Sequence, residues 1–190
     1  MSIFQDNLAE HNKLFAILGS IEPEVEMAGN AIAGSLSEGH KVMFCGNGGS
    51  AADSQHLAAE LTGRFVKDRP PLAAIALSTD SSALTCIAND YSFADVFLRQ
   101  LQALGREGDC LVGISTSGNS DNVQRAMVAA READITTVGL LGRDGGKIRE
   151  FCDIAIIVPS DVTARIQEAH IIIGHTLCGV IEANLGMTGD

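Results

Sequence analysis

His56 and Glu60 stand four residues apart in the run Gly46–Leu61, GNGGSAADSQHLAAEL. On a helix this spacing places both side chains on one face. An imidazole and a carboxylate so placed can share a divalent cation or move a proton near neutral pH. The glycines at 46, 48 and 49 directly precede them. They let the backbone turn sharply and approach a ligand closely. Ser50 is the expected N-cap of the helix that follows. The free N–H groups at that helix start form a ready anion site. The same residues also describe an ordinary strand–turn–helix with a solvated His–Glu pair.

A second stretch, Ser115-Thr116-Ser117-Gly118-Asn119-Ser120, offers four hydroxyls and an amide after an apolar run and before a helical one. Hydroxyls and backbone N–H groups at a helix start suit a phosphate monoester. A hydroxyl-rich turn with an N-cap is the plain alternative. A third stretch, Arg165-Ile166-Gln167-Glu168-Ala169-His170, is followed by His175 among Ile171, Ile172, Ile173, Thr176 and Leu177. His170 fits a surface or capping position. On its own helix, His175 reads as a core histidine.

Apolar runs at 41–45, 72–77, 110–115, 136–141 and 154–158 predict five buried strands. Helical patterns lie between them, which indicates a doubly wound parallel sheet covered on both faces. Each chemistry-bearing loop follows a strand and so falls on the carboxyl edge, where such sheets bind ligands. Two helices precede the first strand, with apolar positions at Ile3, Phe4, Leu8, Leu14, Phe15 and Leu18 on the first. Their surplus apolar face is either packed within the chain or a contact between copies. Single helices are predicted over 93–104 and 163–185. Residues 1–190 read as one α/β domain, with no repeat or internal boundary.

The net charge of −11 excludes a duplex nucleic-acid binder, which needs a basic footprint, and disfavours an anionic membrane surface. It does not exclude a phosphorylated substrate, since helix N-termini bind phosphate without formal charge. Five scattered cysteines show no CxxC pair. Four of them have apolar neighbours, as small core residues do. Reduced thiols, no apolar signal core in MSIFQDNLAEHNK and no membrane-length apolar run lead us to expect a cytoplasmic protein.

Together, GNGGS, QHLAAEL, ISTSGNS and RIQEAH with a second histidine resemble the sugar isomerase (SIS) domain family, and within it the phosphoheptose isomerases, over nearly the whole chain. The resemblance implies that His56, Glu60, Gln167 and His175 bind one zinc ion per subunit. It implies that Glu60 and His175 are the acid–base pair. Asn47, Gly48, Gly49, Glu60, Asn89, Asp90, Ser115, Thr116, Ser117, Ser120 and Gln167 would touch a phosphorylated seven-carbon sugar, with the hydroxyl loop holding its phosphate. It implies a homotetramer with active sites between subunits. The reaction would convert sedoheptulose 7-phosphate to D-glycero-D-manno-heptose 7-phosphate through an enediol, the first step toward heptose for lipopolysaccharide or a related surface polysaccharide.

Two positions depart from some members: Ala164 stands where an Asp occurs, and Ala51-Ala52 where His-Cys occurs. Neither is an implied ligand or acid–base group. The competing reading is a non-catalytic SIS-domain binding protein of the kind that associates with the bacterial replication initiator. That type has similar GNG and ARIQE motifs but lacks equivalents of Glu60 and His175, both present here. A third reading, a SIS isomerase or lyase for another sugar phosphate, fits the full set of implied ligands less well.

Overall fold

The structure is a computed structural model and describes residues 2–187. Five parallel strands form one sheet in the order β2-β1-β3-β4-β5. They are β1 (Val42–Gly46), β2 (Ala74–Ala76), β3 (Cys110–Ser115), β4 (Thr136–Gly142) and β5 (Ile154–Val158). The strands are apolar along their whole length because both faces are covered. In β1, Val42 and Phe44 point into one core layer while Met43 and Cys45 point into the other. The first layer lies under α1 (Ile3–Phe15), α2 (Glu22–Ser37), α3 (Gly49–Thr62) and α7 (Thr163–Asn184). The second lies under α4 (Ser81–Asp90), α5 (Val96–Leu104) and α6 (Asp121–Glu132). This is the doubly wound architecture expected from the sequence, with two leading helices and one long closing helix.

The differences from expectation are local. The run 72–77 contributes only three residues to β2, an edge strand that pairs with β1. The predicted helix over 93–104 splits into a 3-10 turn, Phe93–Asp95, and α5. Ser92 Oγ donates to Asp95 at 2.7 Å, and Arg125 also holds that carboxylate, so its side chain is engaged where α5 begins. The first leading helix buries only Leu14, while Ile3, Phe4 and Leu8 are 81, 74 and 46 % exposed. Its apolar stripe is therefore uncovered in the single chain. Cys45, Cys110 and Cys178 are buried and Cys152 is half-buried. Burial pushes the thiols of Cys45, Cys152 and Cys178 up to about 12, so they remain protonated.

Candidate active site

α3 and α7 lie side by side and run in the same direction, and this pairing builds the principal cluster. Gly174 permits close approach, because a Cβ there would lie 2.6 Å from Leu57 Cδ2. Next to that contact, His56 Nε2 and His175 Nε2 face each other at 2.8 Å. Glu60 Oε1 lies 3.4 Å from His56 Nε2. One ligand atom from each of the three residues falls within 4.8 Å of the other two. Ligands around a tetrahedral zinc stand about 3.3 Å apart, given bonds near 2.0 Å. The His56–Glu60 separation already matches that spacing, and the histidine pair would open slightly around a cation. Asp53, one turn before His56, has a buried Oδ2 without a hydrogen-bond partner. Burial raises its pKa, opposed by the nearby His56 imidazole.

The loops after β1 and β3 form a second cluster, at the point where the strand order reverses. Gly48, not Ser50, caps α3. Its φ of +55° suits glycine. Ser50 lies inside the first turn and is buried. Asn47 and Asn122 exchange two side-chain hydrogen bonds of 2.8 Å, which joins the glycine loop to the start of α6. Asn122 Oδ1 also accepts the Val123 N–H at 2.9 Å. In the hydroxyl loop, the oxygens of Ser115 and Ser120 are 2.9 Å apart, and Ser117 Oγ lies 3.5 Å from Ser115 Oγ. Gly118, at φ +66°, is pressed on the 142–146 loop so closely that a Cβ would collide with Gly145 O. Backing of this kind holds the hydroxyls together at the helix start.

A family model for the SIS domain matches residues 10–142. A phosphoheptose isomerase of Rhodospirillum rubrum is 54 % identical over 168 residues, covering 88 % of this chain and 89 % of the relative. One from Helicobacter hepaticus is 50 % identical over 189 residues, covering 100 % and 94 %. The solved structure of phosphoheptose isomerase GmhA from Neisseria gonorrhoeae superposes with a TM-score of 0.88 at 48 % identity, covering 95 % of this chain and 97 % of that one. The chain belongs to the phosphoheptose isomerase family of SIS-domain proteins. Members of this family are sugar-phosphate isomerases, and the non-catalytic reading is not favoured.

Among the residues that the family resemblance implied, the fold brings His56, Glu60 and His175 into one cluster, and Asn47 and the hydroxyl loop onto one sheet edge. Gln167 lies beside the glycine loop. Its amide packs against Gly49, where a Cβ would collide with Gln167 Nε2. Eight residues of α7 separate it from His175, about 12 Å along the axis. Asn89 and Asp90 close α4, exposed and bonded to each other at 2.8 Å. The 3-10 turn that follows them is tied to α6 by Asp95 and Arg125 at 3.0 Å. His170 is neither a surface nor a capping residue. It is fully buried, and Nε2 lies 3.2 Å from Leu141 O. Burial lowers its pKa to about 4, against the bond to Leu141, so the ring is neutral. Sequence reasoning missed Asn122, although it lies two residues beyond the hydroxyl loop. It also missed Asp53, which stands three residues before His56 on the same helix face.

Proposed function

We propose that this chain is the isomerase that converts sedoheptulose 7-phosphate to D-glycero-D-manno-heptose 7-phosphate. The observation that carries the reading is the convergence of His56, Glu60 and His175 on one face of the α3–α7 pair. Ketose–aldose conversion moves a proton between C1 and C2 while a second proton moves between the two oxygens. Glu60 and His175 are suited to these transfers as a carboxylate and an imidazole. Two imidazole nitrogens and a carboxylate also suit zinc, with the Gln167 amide oxygen as a further ligand and one ion per subunit. Such an ion, when bound, supplies Lewis-acid polarisation of the substrate carbonyl.

Substrate binding falls to Asn47, Gly48, Gly49, Asn89, Asp90, Gln167 and Glu60, with Ser115, Thr116, Ser117 and Ser120 around the phosphate. The convergence of the Ser115, Ser117 and Ser120 hydroxyls supports that assignment. A hydroxyl cradle also accounts for phosphate binding by a chain of net charge −11. The working form is a homotetramer of single-domain chains with active sites between subunits. The uncovered stripe on α1 and the separation of Gln167 from the trio support it. The reading includes a cytoplasmic location and a place at the start of heptose supply for a surface polysaccharide. Among the described residues no helix is long and apolar enough to cross a membrane. The test is incubation of the purified, zinc-supplemented protein with sedoheptulose 7-phosphate and detection of an aldoheptose 7-phosphate. Absence of product from folded, metal-loaded protein overturns the proposal.

A further inference from the structure

The segment after α3 contains a device that meets the trio at the Glu60 backbone carbonyl and at the His175 ring, away from the loops at the sheet edge. Arg69 is almost fully buried, with its side chain 2 % exposed, and so is Glu182 on α7, at 4 %. Arg69 Nε donates to Glu182 Oε1 at 2.5 Å. Its Nη2 donates to the carbonyl of Glu60 at 2.8 Å, and Nη1 to the carbonyl of Leu61 at 2.9 Å and of Pro70 at 3.1 Å. The last carbonyls of a helix have no partner within it. Arg69 takes up two of them at the end of α3, one belonging to Glu60 itself. The same Glu182 oxygen accepts the Phe65 N–H at 3.4 Å. The Phe65 ring lies along the His175 imidazole, with centroids 5.5 Å apart and planes 29° from parallel.

A buried ion pair is often no more stabilising than a well-packed apolar pair of the same volume. Stability therefore does not explain why a guanidinium stands here. An apolar pair could not bond the Glu60 carbonyl, fix the end of α3 to α7 and place the next aromatic ring in one arrangement. A histidine that binds a metal needs its ring orientation fixed by its surroundings. In this chain an aromatic stack lies against that ring.

We propose that Arg69 and Phe65 are positioning residues for the trio: the Arg69–Glu182 pair sets the end of α3 and the Phe65 backbone, and the Phe65 ring sets the orientation of His175. The inference rests on the reading of His56, Glu60 and His175 as a cation site. Cobalt(II), added to the full-length protein, is the probe. Its visible absorption reports ligand geometry, and competition with a chelator reports affinity, both without turnover. Wild-type protein should bind cobalt with a strong tetrahedral-type band. Phe65→Ala should unfold near the wild-type temperature yet lose about 10- to 100-fold in cobalt affinity and show a changed band. Phe65→Tyr, which keeps the stack, should restore both. Arg69→Lys keeps the charge but cannot reach Glu182 and two carbonyls at once, so it should repeat the Phe65→Ala change. If the Arg69 variants do not fold, the Phe65 pair decides alone. Unchanged affinity and band in Phe65→Ala, with cobalt bound to the wild type, overturn the positioning role and leave the isomerase reading standing. Failure of the wild type to bind cobalt overturns the cation-site reading and this inference with it.

Discussion

Gly174→Ala tests whether the spacing of α3 and α7 sets the geometry of the trio. The added Cβ would lie 2.6 Å from Leu57 Cδ2, 2.8 Å from Cδ1 and 3.2 Å from Cγ. Ordinary carbon contacts are about 3.5–4.0 Å, so the helices must part by about 1 Å or Leu57 must turn. Leu57 is 2 % exposed, which leaves it little room to turn. Alanine gains up to about 1 kcal/mol of helix propensity over glycine. Overpacking costs about 1–3 kcal/mol. The net loss of stability is therefore small, about 0–2 kcal/mol. The effect on the site should be larger. His56 and His175 flank this contact, and displacing reacting groups by about 1 Å costs on the order of 10²-fold in rate. Thermal unfolding of the metal-free protein, zinc titration and initial rates measure the three quantities separately. The double variant Leu57→Ala/Gly174→Ala provides the internal check. Removing the leucine branch makes room for the methyl, so activity should partly return although Leu57→Ala alone costs about 2–5 kcal/mol. Wild-type kcat in Gly174→Ala, or no recovery in the double variant, would refute the spacing argument.

Glu60→Gln should keep the circular dichroism of the wild type and lose at least about 10²-fold in kcat; turnover within a few-fold of wild type refutes the proton-transfer role. Ser115→Ala/Ser120→Ala should chiefly raise KM, because the phosphate contact exists before and during the reaction. An unchanged KM, with inorganic phosphate inhibiting as before, counts against it. His170, held neutral with a folded pKa of about 4 against an ordinary 6.5, binds a proton in the unfolded chain before it does so in the folded one. Its contribution is intact above about pH 6.5 and is lost as pH falls toward 4, so His170→Gln should flatten the stability profile in that window if both proteins are titrated by chemical denaturation. Inactive His175→Ala and Gln167→Ala proteins, mixed under subunit exchange, should regain activity if the two ligands of one ion come from different chains. Exchange proven by mass spectrometry without recovery rules that out.

The strands were legible because a parallel sheet covered on both faces needs unbroken apolar runs, and the run at 110–115 maps directly onto β3. The run at 72–77 overstated β2, because a central and an edge strand share a composition while their pairing depends on neighbours distant in sequence. The shared face of His56 and Glu60 was legible from helical spacing, which by itself also describes a solvated pair. His175 was not, since its apolar neighbours describe a core histidine; it took the family resemblance to single it out, and the fold sets it against His56. The buried position of His170 had no local signal, because the Leu141 carbonyl that meets it comes from another element. Arg69 and Phe65 lie in RFVKDRPP, residues 64–71, whose charges and two prolines describe a link between elements. Their partners, Glu182 and His175, are more than a hundred positions away.

The parallel course of α3 and α7 carries a consequence for assembly. Gln167 meets Gly49, Leu57 meets Gly174, and the Phe65 N–H meets Glu182. The two helices thus advance together, and a residue's height on one is fixed against the other. Gln167 is held at the top, beside the glycine loop, while His175 sits about 12 Å lower with His56 and Glu60. A metal lies only about 2 Å from its ligand atom, so both side chains would have to lie flat along the helix to share one ion, where neighbouring side chains obstruct them. Kinking α7 would disturb the Gly174–Leu57 contact that brings the histidines together, so a bend does not solve the problem cheaply. A second copy does. On the proposed function, a neighbouring subunit that presents its Gln167 to this trio completes the ligand set with both helix pairs left straight. A symmetric assembly repeats that exchange at every site. The uncovered Ile3, Phe4 and Leu8 on α1 supply apolar surface for such contacts within the same molecule.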